Sequence, residues 1–190
     1  MIYAFDLDST LTKIETLPFL AEKFDILAKY EDTVKATKNL PYEAALKERL
    51  SLFLPYSKSK ISLCLAKIPI FPRIREFIIA NSQNSCIITS NLDVFLVDII
   101  FQFNCKVYAS IILDGEVKII NKAEIVEKLR KKDKVAFVGD GENDAFALKI
   151  ADFSYAASYA HKAAKSAVFA ADIEVFSEDE LVKNLSIISR

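Results

Sequence analysis

Two short segments of this 190-residue sequence hold closely spaced carboxylates. Asp6 and Asp8 stand two residues apart near the start of the chain, and Asp140 and Asp144 lie in the later segment Gly-Asp-Gly-Glu-Asn-Asp at 139–144. A carboxylate can attack phosphorus and form an aspartyl-phosphate. A second carboxylate nearby can protonate the leaving oxygen and then deprotonate water. We therefore take Asp6 as a candidate nucleophile and Asp8 as a candidate acid and base.

Carboxylates that converge on one place need a cation. Each raises the pKa of its neighbours, and the repulsion costs stability unless a positive charge offsets it. Carboxylate oxygens are ligands that Mg²⁺ takes together with water and substrate phosphate oxygens. We expect Mg²⁺ at these acidic segments, with a lysine beside it to neutralise the transferring phosphoryl group. Lys122, at the start of a predicted helix, is the candidate.

Glycine is scarce, which makes its positions informative. The chain has three, Gly115, Gly139 and Gly141, where average usage predicts about a dozen. Two of them flank Asp140, so the backbone there is expected to need glycine. The third forms the pair Asp114-Gly115, which predicts a tight hairpin turn.

Short apolar runs and helical patterns alternate along most of the chain. The runs are 2–5, 86–88, 135–138, 153–157 and 173–176, and the helical patterns are 75–81, 94–103, 124–132, 143–151 and 160–171. This alternation predicts an α/β fold, a parallel sheet with helices on both faces. The candidate residues follow strands, and ligands of such sheets bind at the carboxyl ends of strands. Thr89, which follows the second run, joins them for this reason.

One interval departs from this alternation. Between residues 12 and 71 only helical patterns occur, at 18–30, 32–39, 42–54 and 58–67, and the interval is punctuated by Pro41, Pro55 and Pro69. About 60 helical residues are too many for a simple crossover connection. We expect a helical insertion that packs over one edge of the sheet. The predicted domains are a core of residues 1–12 and 72–190 and a cap of residues 13–71.

Composition excludes several partners and sites. The formal net charge is −1 and no block of basic residues occurs, which argues against nucleic-acid or membrane-surface binding. The apolar stretch 94–103 is too short to span a bilayer. Three cysteines without a CxxC pair indicate buried thiols in a reducing compartment, so the cytoplasm is the expected location. His161, the single histidine, is expected on a solvated helix.

Together the motifs resemble the haloacid dehalogenase superfamily, and within it the phosphoserine phosphatases. The matching segments are Asp6-Leu7-Asp8-Ser9-Thr10-Leu11, the strand-end Thr89, the lysine helix from Lys122 and the loop 139–144. The resemblance implies a three-layer Rossmann-like core with a helical cap inserted after the first strand, and an aspartyl-phosphate on Asp6. It also implies Mg²⁺ held by Asp6, Asp140 and the Asp8 main-chain carbonyl with support from Asp144, and phosphate held by Thr89 and Lys122. Because the superfamily's dehalogenases lack an acid at the position of Asp8, the sequence indicates phosphoryl transfer.

The resemblance also implies a substrate, phosphoserine, and a role in serine biosynthesis. Glu15 matches the family's cap glutamate for the substrate amino group, and Arg49 matches its cap arginine for the carboxylate. Two glycines usually follow the strand-end residue, whereas this chain has Ser90 and Asn91. These two, with Asn143 from the acidic loop, are therefore further candidates for substrate contacts.

Three alternatives remain open from the sequence. The chain could hydrolyse another small phosphorylated metabolite, such as an amino alcohol or sugar phosphate. It could be a mutase, or it could bind phosphate without turnover. Asp8 argues against the last of these, because a binder has no need of a proton donor.

Overall fold

A seven-stranded sheet forms the centre of the protein in a computed structural model that describes residues 1–188. The strands are β1 (Ile2–Phe5), β2 (Ser85–Leu92), β3 (Lys106–Leu113), β4 (Glu116–Lys118), β5 (Val135–Gly139), β6 (Phe153–Ala157) and β7 (Ile173–Val175). Their order is β4-β3-β2-β1-β5-β6-β7, and all neighbours are parallel except β3 and β4. The predicted α/β class is confirmed. The hairpin predicted at Asp114-Gly115 joins β3 and β4, and Gly115 has a φ of 79°.

Helices cover the sheet and fill the interval after β1. They are α1 (Thr16–Lys23), α2 (Leu27–Thr37), α3 (Tyr42–Ser51), α4 (Lys58–Leu65), α5 (Pro72–Ala80), α6 (Val97–Ile100), α7 (Lys122–Arg130), α8 (Ala145–Ile150), α9 (Lys165–Ala170) and α10 (Glu178–Ile188). Within residues 1–188, no helix is long and apolar enough to cross a membrane.

The insertion between β1 and α5 is helical, as predicted. Two connecting segments lie side by side where the chain enters and leaves it, because Lys13 N donates to Pro69 O (2.8 Å) and Phe71 N donates to Leu11 O (3.0 Å). Buried side chains of the insertion, such as Phe53, and of the sheet, such as Phe5, belong to one apolar cluster. The division into a cap of residues 13–71 and a core stays a prediction.

Several helix bounds predicted from sequence were wrong. The pattern 18–30 is two helices, because Asp25 adopts a left-handed φ of 55° and ends the first. The pattern 94–103 holds a 3-10 turn and the four-residue α6, and 143–151 begins with the 3-10 turn Glu142–Asp144. The pattern 160–171 is helical only in α9. Before α9 the chain follows an irregular path, because Tyr159 hydrogen bonds to Thr10 and Ala164 hydrogen bonds to Asp140.

The sheet order places β1 at the topological switch point. Its neighbours are β2 on one side and β5 on the other, so strand order runs in opposite directions from β1. Such a point opens a crevice at the carboxyl ends of the strands. Asp6 follows β1 directly and Asp140 follows β5, and Asp6 N donates to Val138 O of β5 (2.8 Å). The fold therefore brings the two acidic segments to one crevice.

Candidate active site

The loop after β1 turns sharply and keeps both of its carboxylates at the crevice. Ser9 has a left-handed φ of 54°, which lets the chain reverse immediately after Asp8. Ser9 N donates to Thr12 Oγ1 (3.1 Å) and Thr12 N donates to Leu7 O (3.0 Å), so the turn is closed by its own hydrogen bonds. The carboxylate of Asp8 accepts from the amide of Thr16 (2.7 Å) at the start of α1.

Lys122 makes the central charged contact of the site. It is the first residue of α7, whose N-cap Asn121 accepts from Glu124 N. Its Nζ lies 2.6 Å from Asp6 Oδ1 and 2.7 Å from Asp144 Oδ1, and its side chain is 2% exposed. A buried ammonium held between two carboxylates cannot move freely, so Lys122 fixes the side chain of Asp6 at the crevice.

The loop after β5 is organised by Asp144. Its Oδ2 accepts from Asp140 N (3.2 Å) and Gly141 N (3.0 Å), while its Oδ1 accepts from Lys122. A Cβ on Gly139 would lie 2.6 Å from Asp144 Cγ, too close for any side chain. Glycine is thus required at 139 by the close approach of Asp144. This agrees with the prediction, made from the scarcity of glycine elsewhere in the chain, that the backbone beside Asp140 needs glycine.

Asp140 is oriented by the loop after β1. Its Oδ1 accepts from Thr10 Oγ1 (3.0 Å), and Thr10 O in turn accepts from the hydroxyl of Tyr159 (2.8 Å). Ala164 N donates to the main-chain oxygen of Asp140 (2.8 Å). The segment after β6 therefore braces both acidic loops.

Burial and mutual repulsion change the proton affinities of these carboxyls. Burial, the Asp144 charge and other neighbouring carboxylates raise the pKa of Asp6 well above its ordinary value, although Lys122 opposes them. Burial and Glu15 raise the pKa of Asp8 to about 6. Burial, Asp144 and Glu15 raise the pKa of Asp140 to about 7. Burial lowers the pKa of Lys122, but Asp144 and Asp6 outweigh it and the net shift is upward.

The donor set fits a divalent metal ion. Asp6, Asp140 and Asp144 are buried, and one carboxylate oxygen from each lies within 4.8 Å of the others. All three donors are hard oxygens, the type that Mg²⁺ prefers. A cation there would offset the repulsion that raises the pKa values of Asp6 and Asp140. Because both Asp144 oxygens already accept hydrogen bonds, Asp6 and Asp140 are the freer ligands.

A cavity of about 150 Å³ opens between these loops and the helical insertion. Glu15, Arg49, Ser90, Asn91 and Asn143, the residues predicted to contact substrate, all line it. The other lining residues are Asp6, Asp8, Leu17, Tyr30, Tyr42, Leu46, Lys122, Asp140 and Gly141. This volume is well below the roughly 300 Å³ at which pockets for drug-sized ligands begin, so the cavity suits a small ligand.

Arg49 lines this cavity, and one of its hydrogen-bond donors is buried without a partner. Its Nε is buried and has no hydrogen-bond partner within residues 1–188. A buried donor without a partner costs about 1–3 kcal/mol, more when charged. Planar carboxylates satisfy guanidinium groups with two parallel hydrogen bonds. The guanidinium of Arg49 at the cavity wall is therefore chemically suited to an anionic group of a ligand.

Thr89 and Ser90 were predicted at a strand end, but β2 continues to Leu92 and contains both, and the two side chains differ in position. Ser90 lines the cavity. Thr89 is fully buried, and its Oγ1 accepts from Asn91 N (3.2 Å). Of the residues that the structure describes, those that line the cavity do not include Thr89. Asn91 donates from Nδ2 to Thr16 Oγ1 (2.7 Å) and thereby links β2 to α1. The phosphate-binding role of Thr89 stays a prediction.

His161 was placed wrongly by sequence reasoning. It lies before α9, in the irregular segment held by Tyr159 and Ala164, and its Nε2 is 3.2 Å from Asp140 Oδ2. The alanine-rich composition favoured a longer helix, whereas tertiary hydrogen bonds to Thr10 and Asp140 determine the backbone there. The place of His161 in the sequence could have predicted this contact, because residues that closely follow β6 must lie at the same edge of the sheet as Asp6 and Asp140.

A model of the haloacid dehalogenase-like hydrolase family matches residues 1–152. The chain belongs to this family. Its members are named hydrolases, in agreement with a crevice that combines carboxylates and a buried lysine. The predicted membership is thus confirmed. No curated protein matches the chain.

Solved structures of phosphoserine phosphatases share the fold of this hydrolase. A phospho-aspartyl intermediate analogue of phosphoserine phosphatase is 23% identical, with a TM-score of 0.77, and the match covers 98% of this chain and 97% of the other. A substrate-bound phosphoserine phosphatase complex is 22% identical at the same TM-score and coverage. A phosphoserine phosphatase from T. onnurineus is 17% identical, with a TM-score of 0.69 and coverage of 97% and 93%. At these identities the likeness establishes the fold.

Proposed function

We propose that this family member hydrolyses a small phosphate monoester, with phosphoserine as the first candidate substrate. The observation that carries the proposal is the contact of Lys122 Nζ with both Asp6 and Asp144 beside the Asp8 carboxyl, in one small cavity. This arrangement combines a fixed nucleophile, a cation for phosphoryl charge and a proton donor.

In the proposed mechanism, Asp6 attacks the phosphorus atom and the bond from phosphorus to the ester oxygen breaks. Asp8 donates a proton to that leaving oxygen, and a carboxyl with a pKa of about 6 holds protons at near-neutral pH far more often than an ordinary one. Asp8 then takes a proton from the water that attacks the aspartyl-phosphate, which releases phosphate and restores Asp6. Lys122 neutralises charge on the phosphoryl oxygens.

Asp6 and Asp140, supported by Asp144, would hold Mg²⁺ in this site. When bound, the ion supplies charge stabilisation to the phosphoryl oxygens. Asp144 keeps Lys122 and the loop after β5 in position whether or not the ion is present, because its oxygens contact Lys122 and two backbone amides.

Two residues favour an amino acid ester over other phosphates. Arg49 brings a guanidinium to the cavity wall, where it would bind a carboxylate, and Glu15, which accepts from Ser9 Oγ (2.8 Å), offers a negative charge to an ammonium group. Both line the cavity that contains Asp6. Phosphoserine carries the carboxylate and the ammonium group that these two residues would bind, together with the phosphate that Asp6 would attack.

A second candidate is another small phosphorylated metabolite. Ser90, Asn91 and Tyr42 bring polar side chains to the wall of the cavity. These groups could instead receive the hydroxyls of an amino alcohol or sugar phosphate. The two candidates differ in whether Arg49 has a carboxylate to bind.

The deciding experiment measures phosphate release from a panel of metabolite phosphates with Mg²⁺ present. We expect phosphoserine to give the highest kcat/KM. Arg49→Ala should raise KM for phosphoserine at least tenfold more than KM for an aryl phosphate, because only phosphoserine has the carboxylate. Lys47→Ala, which removes an exposed cation of the same helix, is the matched control. Equal losses on both esters would contradict the carboxylate role and favour the second candidate.

A further inference from the structure

We propose that Asn91 is a positioning residue for Asp8, the acid and base of the reaction, and that it acts through Thr16. Sequence reasoning placed Asn91 among the candidates for substrate contact. The hydrogen bonds of its side chain give it a different task. This inference rests on the proposed function, because it concerns the step in which Asp8 gives a proton to the leaving oxygen.

Asn91 lies in an irregular part of β2. Thr89 and Leu92 pair with two consecutive residues of β3, so the two residues between them bulge out of the ladder. Ser110 Oγ on β3 donates to Ser90 O (2.7 Å) and closes the bulge from that side. Bulges re-aim side chains and are common beside active sites. Here the bulge leaves Asn91 buried at the cavity wall, where its polar atoms need partners.

The side-chain amide of Asn91 has one orientation that satisfies its neighbours. Leu92 N donates to its Oδ1 (2.8 Å), and because a backbone amide only donates, the atom at that place must be the oxygen. Its Nδ2 then faces Thr16 Oγ1, to which it donates at 2.7 Å. Both polar atoms of the side chain thus have protein partners, which favours a positioning role over a substrate contact.

Thr16 connects Asn91 to Asp8. It is fully buried and is the first residue of α1. Its backbone amide donates to Asp8 Oδ1 (2.7 Å), while its hydroxyl oxygen accepts from Asn91. Thr16 cannot shift without breaking one of these buried hydrogen bonds. Asn91 therefore fixes the donor that orients the carboxyl of Asp8.

The contact between Asn91 and Thr16 also joins two parts of the fold. Asn91 belongs to the sheet, whereas Thr16 begins the first helix of the insertion. A general acid must come within hydrogen-bond distance of the leaving oxygen, and a misplacement of about 1 Å can cost about a hundredfold in rate. The contact therefore keeps Asp8 at a fixed place relative to the sheet edge that carries Asp6.

The test measures kcat/KM with Mg²⁺ for a series of phenyl phosphates whose phenol leaving groups differ in pKa. When proton donation weakens, esters of the more basic phenols lose more activity, so kcat/KM falls more steeply with the pKa of the phenol. We expect a steeper slope in Asn91→Leu, which keeps the size of the side chain. We expect the same in Thr16→Val, which loses the hydroxyl but keeps the amide that binds Asp8.

The expected loss depends on the ester. In both variants kcat/KM should fall roughly tenfold for the most basic phenol and about twofold or less for the most acidic. Thr16→Ser, which keeps the hydroxyl, should recover most of the loss seen in Thr16→Val. Asp93→Asn, which neutralises an exposed carboxylate just after β2, should keep the wild-type slope. Thermal unfolding checks that each variant folds.

A second comparison places both changes in one chain. If Asn91 acts through Asp8, then Asn91→Leu should not alter the slope further in an Asp8→Asn variant, because the proton donor is already absent. A further change of slope there would overturn the proposal. Equal losses of Asn91→Leu on all esters, with an unchanged slope, would also overturn it.

The same series separates failure of this inference from failure of the proposed function. A steeper slope in Asp8→Asn but not in Asn91→Leu or Thr16→Val would overturn the inference alone. An unchanged slope in Asp8→Asn would contradict the acid role of Asp8, and the inference would fall with it.

Discussion

At the scale of single residues, the chemistry depends on what surrounds each carboxyl. Asp6 and Asp8 are two residues apart, yet Asp6 contacts Lys122 whereas Asp8 accepts an amide hydrogen bond and lies near Glu15. The lysine opposes the rise in the pKa of Asp6 and orients its carboxylate for attack. Burial and Glu15 let Asp8 hold a proton near neutral pH. Different surroundings thus give two identical side chains different tasks.

The acid role of Asp8 predicts a dependence on the leaving group. In Asp8→Asn the amide has a similar shape but cannot donate a proton to a departing alkoxide. Phosphoserine hydrolysis should fall about 10²–10⁴-fold, the usual contribution of general acid–base catalysis. An aryl phosphate, whose leaving group needs less protonation, should lose less in its first step. Burst-phase kinetics on both esters make the comparison, and identical losses in that step would contradict the role.

Sequence reasoning worked best for residues fixed by local motifs. Asp6, Asp8, Asp140, Lys122 and Asp144 were identified from short segments, and the structure brings them together. The sequence could not show that Asp144 uses one oxygen for Lys122 and the other for two backbone amides. It also missed the contact of His161 with Asp140. Both depend on contacts between segments that are distant in sequence.

At the scale of elements, the catalytic residues are held by the end of a strand or the start of a helix. Asp6 and Asp140 follow β1 and β5, and Lys122 begins α7. The loop after β5 is the most constrained, because Asp144 packs against the backbone of Gly139. Because Asp144 also contacts Lys122, its packing against Gly139 helps to determine where Lys122 lies.

Gly139→Ala should damage the site through this packing. The new methyl group would displace Asp144 and loosen its contact with Lys122. We expect a loss of about 1–3 kcal/mol in the free energy of unfolding, typical of overpacking, with a large fall in kcat. Urea unfolding and phosphate release measure the two effects.

The matched control is Gly115→Ala at the β3–β4 turn. Nothing lies within 4 Å of its added Cβ, so only the left-handed φ of 79° opposes the change. It should cost about 1–2 kcal/mol and leave kcat unchanged. A Gly139→Ala variant with normal kcat would show that Asp144 does not need its observed position.

Elements were predicted unevenly, for physical reasons. The central strands β1 and β5 are almost wholly buried, so they appeared as apolar runs. The strand β3 was missed because its residues vary from exposed to buried and its far end pairs only with the short β4. Propensity is a weak guide where tertiary contacts determine the backbone, as before α9.

At the scale of the whole molecule, the helical insertion and the sheet edge together enclose the catalytic crevice. Residues from α1 to α3, such as Arg49 and Tyr42, share the cavity with Asp6 and Lys122. The buried carboxyls inside it are a cost to the metal-free fold, since burial and mutual repulsion disfavour their charged forms. A bound cation should therefore stabilise the entire molecule.

The metal-free protein should lose stability as the pH rises from about 4 to about 7. The pKa values of Asp8 and Asp140 in the fold are about 6 and about 7, above the ordinary 3.8. A carboxyl with a raised pKa binds its proton more tightly in the folded state, so its stabilisation is present near pH 4 and is lost by about pH 7. Above that range Asp8 and Asp140 are ionised in both the folded and the unfolded state and add no further pH dependence.

Mg²⁺ should reverse this loss. At a hundred times its Kd an ion adds about 2.7 kcal/mol to the free energy of unfolding. For a chain of this size, that corresponds to an increase of roughly 5–10 °C in Tm. We expect the increase in Tm to be larger at pH 8 than at pH 5.5, where protons compete with the metal. Calorimetry with EDTA or Mg²⁺ at each pH tests this. An equal or larger increase at pH 5.5 would contradict metal binding by these carboxyls.

The most direct measurement is to trap the covalent intermediate on Asp6. Protein mixed with excess phosphoserine and Mg²⁺ is quenched in acid, in which acyl phosphates persist, and its peptides are mapped by mass spectrometry. We predict one phosphoryl group on Asp6 of the wild type, and neither that group nor phosphate release in a folded Asp6→Asn variant. Phosphate release without phosphorylated Asp6, or substantial activity in Asp6→Asn, would contradict nucleophilic attack by this carboxylate.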